Sequence, residues 1–306
     1  MSTEPKVRFR QIGSYSGPVI HGTVPAFSRA PTLDDNHLFR AFWLTTMVES
    51  GGFLGTIMMA DGTAVTAGLE QVIAVYPRNM QEQGPLFKLL NRMSGMTPIT
   101  YYLPFDENGW YISEDGILRD HLGKAVPPKT IRDTFTPTGG KVPKNGKQWH
   151  EAKRWAIAFH ALFSLQQTSN LQTRCGIEHL TKFAKRYKSR RTDRKSVEEI
   201  CYGGEVQNPQ VFAECPEMDL AMCLFWNYKT NAPNPALDAL QKARLTFNPT
   251  QSPEKFAGCL LNLLRTSRYG RWGTNRYDRS REHAMDVWPK NLFEGGSAIM
   301  PARKTR

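Results

Sequence analysis

Three residues within one short stretch have the types and spacing for divided acid–base chemistry. Glu49 closes a helical pattern, Asp61 follows twelve residues later in an Asp-Gly pair, and Thr66 stands on the far side of that pair. Breaking a glycosidic bond takes a carboxylic acid to protonate the leaving oxygen, and an inverting enzyme adds a second carboxylate to activate water. The partial negative charge of a helix C-terminus disfavours an ionised carboxylate, which suits Glu49 to the acid role. Nearby Trp43 and Phe53 could desolvate it further. An aspartate at a wet turn tip is expected to stay ionised, so Asp61 suits the second role, and the Thr66 hydroxyl could hold the attacking water. Each residue also has a plainer reading. Asp-Gly is a common hairpin turn, and a glutamate before Gly-Gly fits a solvated helix end.

The surrounding pattern supplies elements to position them. From Asp34 onward Leu38, Phe39, Phe42, Trp43 and Met47 fall on one helical face, and Gly51-Gly52 ends that helix. Short strands at 56–59 and 64–66 flank Asp61-Gly62. A second helix is expected from Leu69, Val72, Ile73 and Tyr76, ahead of Pro77. Further helices are expected near 85–94, 149–169, 176–188, 217–229, 234–246 and 253–266, with Pro85 and Pro253 at first-turn positions. Residues 97–118 read as a second hairpin around Asn108-Gly109. The fold class that follows is mainly α with a small β-wing, an α+β chain with additional helices. Residues 1–33 read as an extended N-terminal arm, 34–288 as the catalytic domain with its helical extension, and 289–306 as a basic tail. The Pro-, Gly-, Lys- and Thr-rich stretch 123–147 is the candidate internal boundary or long loop.

The helix–wing–helix order over residues 38–77 resembles the lysozyme-like superfamily. Glu49-Ser50 and Gly68-Leu69-Glu70-Gln71 are similar to the Glu-Ser and Gly-Leu-x-Gln of soluble lytic transglycosylases and goose-type lysozymes. Asp61-Gly62, with Thr66-Ala67-Gly68 beyond it, resembles the wing of phage-type lysozymes and family 46 chitosanases. The resemblance implies that Glu49 is the general acid and that Asp61 and Thr66 position or activate water. It also implies that Ser50, Gly68 and Gln71 border the substrate. The Glu-to-Asp spacing is shorter than in chitosanases and closer to the phage-type enzymes. Asp61 together with Gly-Leu-x-Gln leaves hydrolysis and the lytic transglycosylase route both open. Tyr228, in a segment faintly similar to a Tyr-Asn-Ala-Gly stretch of transglycosylases, and Trp272 are further candidates for holding glycan.

Composition narrows the partner. Forty Lys and Arg against 28 Asp and Glu give a formal charge of +12, which attracts polyanions and repels a polycation such as chitosan. Peptidoglycan or a related anionic glycan is therefore the expected substrate, with an immunity or delivery protein as an accessory partner. Nucleic acid is the less favoured rival. It rests on the basic run KRYKSRRTDRK at 185–195 and the Arg- and aromatic-rich segment at 265–281, where arginines could meet phosphates and rings stack on bases. Five scattered cysteines without a CxxC pair, and histidines without HExxH, suggest neither metal nor cofactor. No run of about 18 apolar residues suggests membrane insertion. The N-terminus lacks the apolar stretch of a signal peptide. The expectation is a protein made in the cytoplasm that reaches the wall by phage lysis, in a virion, or through a secretion machine.

Overall fold

Alternation in the first twenty residues does what the expected arm would not. Arg8–Ile12 (β1) and Tyr15–Ile20 (β2) form an antiparallel hairpin, and Val19 and Ile20 are buried where β2 meets the next strand. The structure is a computed structural model, and it describes residues 5–76, 82–186, 215–231, 233–248, 251–267 and 270–288. Among these the chain is α+β, with nine α-helices and small antiparallel sheets. It divides into two units: Met1–Ser28 with Glu49–Cys175, and Arg29–Val48 with Gly176–Arg306. The division does not fall at the expected boundary of 123–147. That stretch instead holds helix α3 (Pro128–Phe135), and Val126, Ile131, Phe135 and Val142 are all buried. Its prolines and glycines sit at the helix start and in the turns beyond, so composition that suits a linker here surrounds a core segment.

The first unit is built on a five-stranded sheet in the order β1-β2-β5-β6-β7. Ile57–Met58 (β5) pairs with Val19 and Ile20 on one side and with Thr66–Ala67 (β6) on the other. Val24–Pro25 (β3) and Phe53–Leu54 (β4) make a separate pair. Val72–Ile73 (β7) then pairs with β6, which corrects the helix expected over 69–76. Gln71 has a left-handed φ of 54°, which no α-helix tolerates, and the β-branched pair that follows pairs with β6 instead. With so short a stretch, Leu69 and Val72 can be buried by either geometry. The second hairpin exists, Trp110–Ile112 (β8) against Leu118–Asp120 (β9), but it turns at residues 113–116 rather than at Asn108-Gly109. Gly109 ends a short 3-10 turn before the strand.

Helix α4 (Lys147–Phe163) packs across β2, β5 and β6. Its Trp155 and Phe159 join Phe105, Trp110 and Phe135 in a cluster whose paired ring centroids are 4.7–6.5 Å apart. Such pairs each add about 0.5–1.5 kcal/mol beyond their burial. Helix α2 (Leu86–Ser94) completes this core with Leu86, Phe87 and Leu90. α5 (Ser169–Arg186) begins six residues after α4 ends, so the break between the expected helices lies earlier than their sequence pattern placed it.

The second unit is helical. α1 (His37–Glu49) contributes all but its last residue, and α6 (Pro216–Asn231), α7 (Pro233–Thr246), α8 (Pro253–Arg265) and α9 (Gly270–Val287) pack with one another. α9 runs through the Arg- and aromatic-rich segment. The expected tail at 289–306 and most of the 185–195 run lie outside the described residues. No helix among those described is long and apolar enough to cross a membrane.

One buried ion pair joins α1 to α6. Arg40 Nε meets Asp219 Oδ2 at 2.7 Å with both side chains fully enclosed, and Arg40 Nη1 also donates to the Leu33 and Asp35 carbonyls. Burial pushes the Asp219 carboxyl upward, and Arg40 is the charge that opposes it. Removing one partner leaves the other charged and dry, at a cost of about 3–5 kcal/mol, whereas replacing both by apolar groups restores much of the loss. Arg40→Met should therefore unfold at markedly lower denaturant than the parent, and the double variant Arg40→Met/Asp219→Leu should recover most of the difference in the same titration.

Candidate functional site

A ring of three oxygen-bearing side chains sits at the turn between β5 and β6. The Thr63 amide donates to Asp61 Oδ1 at 3.1 Å, and the Thr63 hydroxyl donates to the same oxygen in a very short bond. Thr66 Oγ1 lies 3.2 Å from Asp61 Oδ2 and 2.6 Å from Thr63 Oγ1. The local sequence dictates this. Met58 opposite Thr66 fixes the register of the two strands, and the Asp61 side chain folds back on the amide two residues on, as aspartates in turns do. Ala64 takes a left-handed φ of 66° to close the turn.

Counting hydrogens shows how the ring can close. With Asp61 ionised, two hydroxyl hydrogens must serve three oxygen–oxygen contacts. With Asp61 protonated there are three, and the ring can close: carboxyl to Thr66, Thr66 to Thr63, Thr63 back to the carboxylate. The carboxyl is raised above the ordinary carboxylate range, chiefly because burial strips its water. The Thr63 hydroxyl and amide, the Thr66 hydroxyl and the Arg132 charge all act in the other direction. This corrects the expectation of a wet, readily ionised Asp61. Asp61 is itself half-buried, and Gly62 to Ala67 beyond it are all buried.

Glu49 is the final residue of α1 and is partly buried. The turn after it is the glycine pair, Gly51 and Gly52, both left-handed at 70° and 76°. Phe53 beyond them is exposed. The link from this turn to the wing runs through Thr56. Its hydroxyl accepts from the Gly22 amide at 3.1 Å and lies 3.3 Å from the Ser50 and Phe53 carbonyls. Its own carbonyl accepts from the Gly68 amide at 3.1 Å and Gln71 Nε2 at 3.4 Å. Gln71 Nε2 also donates to the Gly68 carbonyl at 2.8 Å. So Ser50, Gly68 and Gln71 are gathered around Thr56, with Gln71 serving the backbone there. Gly68, at φ 79°, has Gln172 Oε1 only 2.8 Å from where a Cβ would stand, and Gln172 in turn accepts from the Leu69 amide.

Tyr228 and Trp272 fall on the backbones of α6 and α9, and their side chains lie outside the described residues. Within the same segment Tyr277 is buried, with the Arg265 guanidinium 5.6 Å from its ring centroid. Three participants were not singled out from the sequence. Thr63 had a signal, since a turn aspartate often closes on the residue two positions on, and Thr56 had none. Arg132 had none: it comes from α3, some seventy residues away, and its Nη2 donates to the Gly62 carbonyl at 2.8 Å. No family model, curated protein or solved structure matches this chain.

The raised Asp61 carboxyl has a consequence for stability. A group whose folded value exceeds its unfolded value stabilises fully below the unfolded value, near 3.9, and loses that contribution as pH rises through the folded one. Asp61→Asn keeps the shape and can still bridge both hydroxyls but does not titrate. Its stability relative to the parent should increase as pH is raised from about 4 toward neutrality. Denaturant midpoints taken across that range check the sign, and a variant-minus-parent difference that stays flat or falls as pH rises contradicts the protonated ring.

Proposed function

We propose that this chain is a glycoside hydrolase acting on the glycan backbone of peptidoglycan or a related anionic glycan, by a lysozyme-like acid–base mechanism. The observation that carries the reading is Asp61, desolvated and gripped by two threonine hydroxyls, on the wing that follows Glu49. Glu49 is the general acid that protonates the leaving oxygen. Asp61, once ionised, takes the proton of the attacking water. A carboxyl with raised proton affinity is the stronger base for that step. Thr66, bonded to Asp61 and to Thr63, orients the water by its hydroxyl. The +12 charge favours an anionic wall over chitosan. A lytic transglycosylase or chitosanase of similar fold is the related alternative, and the biological setting is a phage or delivered cell-wall lytic enzyme with an immunity or delivery partner. Nucleic-acid binding is disfavoured by the burial of Tyr277, since a ring under its own arginine has no face to offer a base.

Clearing of a suspension of peptidoglycan sacculi is the direct test. Glu49→Gln and Asp61→Asn should each lower the rate by at least ~10²-fold, the usual scale for losing a general acid or base. Reducing sugar ends should dominate the products by mass spectrometry. Predominant 1,6-anhydro ends with an active Asp61→Asn protein move the assignment to the lyase route. Parent protein that leaves sacculi intact, or variants within roughly threefold of it, remove these residues from the chemistry.

A further inference from the structure

Arg132 is placed where a structural arginine gains little. It is half-buried on α3, its Nη2 bonds to the Gly62 carbonyl, and its Nε is buried without an acceptor among the described residues. A buried N–H left unpaired costs about 1–3 kcal/mol. The guanidinium also lies 5.9 Å from the centroid of the Tyr15 ring, on β2, which seats its apolar face. A methionine or leucine would fill that space without the orphaned donor. What only a cation supplies there is charge beside the residue that precedes Gly62.

We propose that Arg132 is a positioning residue for Asp61, holding the turn by the Gly62 carbonyl and holding a fixed positive charge against the Asp61–Thr63–Thr66 ring. The inference rests on the reading of Asp61 as the water-activating carboxylate. Burial favours protonated Asp61 against the hydroxyls and amide that oppose it, and a protonated acid cannot accept a proton from water. A base at this site needs an opposing influence that leaves its bonds to the threonines intact, and a cation acting through space does that. The groups that face the carboxyl are the Thr63 and Thr66 hydroxyls from the hairpin and the Arg132 guanidinium from α3, with the Tyr15 phenol behind the guanidinium. Arg132 is the charge acting on it among the described residues.

The test reads Asp61 itself and needs no turnover. In the full chain labelled with carboxyl-13C aspartate, the Asp61 resonance is assigned by its loss in Asp61→Asn and followed through a pH titration. Arg132→Met should move its midpoint to higher pH, and Arg132→Lys, which keeps a cation on a flexible stem, should return it most of the way. Should Arg132→Met fail to fold, Tyr15→Leu supplies the same comparison, because it unseats the guanidinium while leaving Arg132 in place. An Asp61 midpoint that stays where it is in the parent, in whichever of these variants folds, overturns the proposal. Sacculus clearing by the same samples separates the two readings. A shifted midpoint in a protein that never cleaves glycan retains the Arg132 assignment and discards the hydrolase. In an active enzyme the acidic limb of the pH–rate profile should move with the NMR midpoint.

Discussion

A carboxylate deprived of water has to be given hydrogens by something else, and at Asp61 the pairing of β5 with β6 decides what that is. Met58 opposite Thr66 leaves seven residues to reverse the chain. In the turn they form, Gly62 to Val65 are buried and the Thr63 and Thr66 hydroxyls meet one carboxyl. The ladder therefore fixes more than the shape of a turn. It sets the number of hydrogens available to the ring, and so the proton affinity of the group. Slip the register by one residue and Thr66 points to the other face of the sheet, leaving Asp61 with Thr63 alone. The rest of the first unit holds that register: β2 pairs on one edge of β5, β7 on the far edge of β6, and α4 covers the face.

Asp219 and Asp61, two carboxylates withdrawn from water, are handled in opposite ways. Asp219 is matched by direct contact with Arg40 at 2.7 Å, which fixes two helices to one another and leaves neither group exposed for chemistry. Asp61 is matched by neutral hydroxyls, with its nearest recorded cation bonded to a carbonyl beside it rather than to the carboxyl. A salt bridge would have lowered Asp61 strongly and taken up its lone pairs. Hydroxyls that can donate or accept leave the group free to change protonation without breaking the hairpin. That distinction separates a carboxylate that holds a fold from one equipped to move a proton.

Much of this was legible in the residues, and the failures have physical causes. The α1 pattern, its Gly51-Gly52 stop, the two wing strands and most later helices follow from periodicity and from prolines at first turns. The sheet did not. β2 carries Ser, Gly and Pro, and its pairing with β5 joins Val19 to Met58, which no local window senses. At 69–76 a helical spacing of apolar residues over eight positions also fits a turn followed by a strand, and the left-handed Gln71 decides between them. α9 was hidden because Gly270 and Gly273 lower helix propensity, and packing against α6 and α8 overrides it. Asp61 and Thr66 could be paired from sequence because hairpins put side chains of nearby sequence together. Arg132 could not, because only the fold brings α3 to the wing.

The acid–base division drawn from sequence has to be redrawn on the same residues. The Asp-Gly turn suggested a hydrated, permanently ionised carboxylate that steadies charge. The half-buried ring instead gives a carboxyl above the ordinary carboxylate range, raised by desolvation and drawn down by hydroxyls and a nearby guanidinium. For water activation this is the better arrangement. A strongly acidic carboxylate is always ionised but a poor proton acceptor, and a fully neutral one accepts nothing. A base is most useful when its affinity for the proton approaches that of the medium in which it works. Desolvation on one side, and the threonines and Arg132 on the other, therefore act as opposing adjustments on a single group, and the wing's function depends on neither side winning outright.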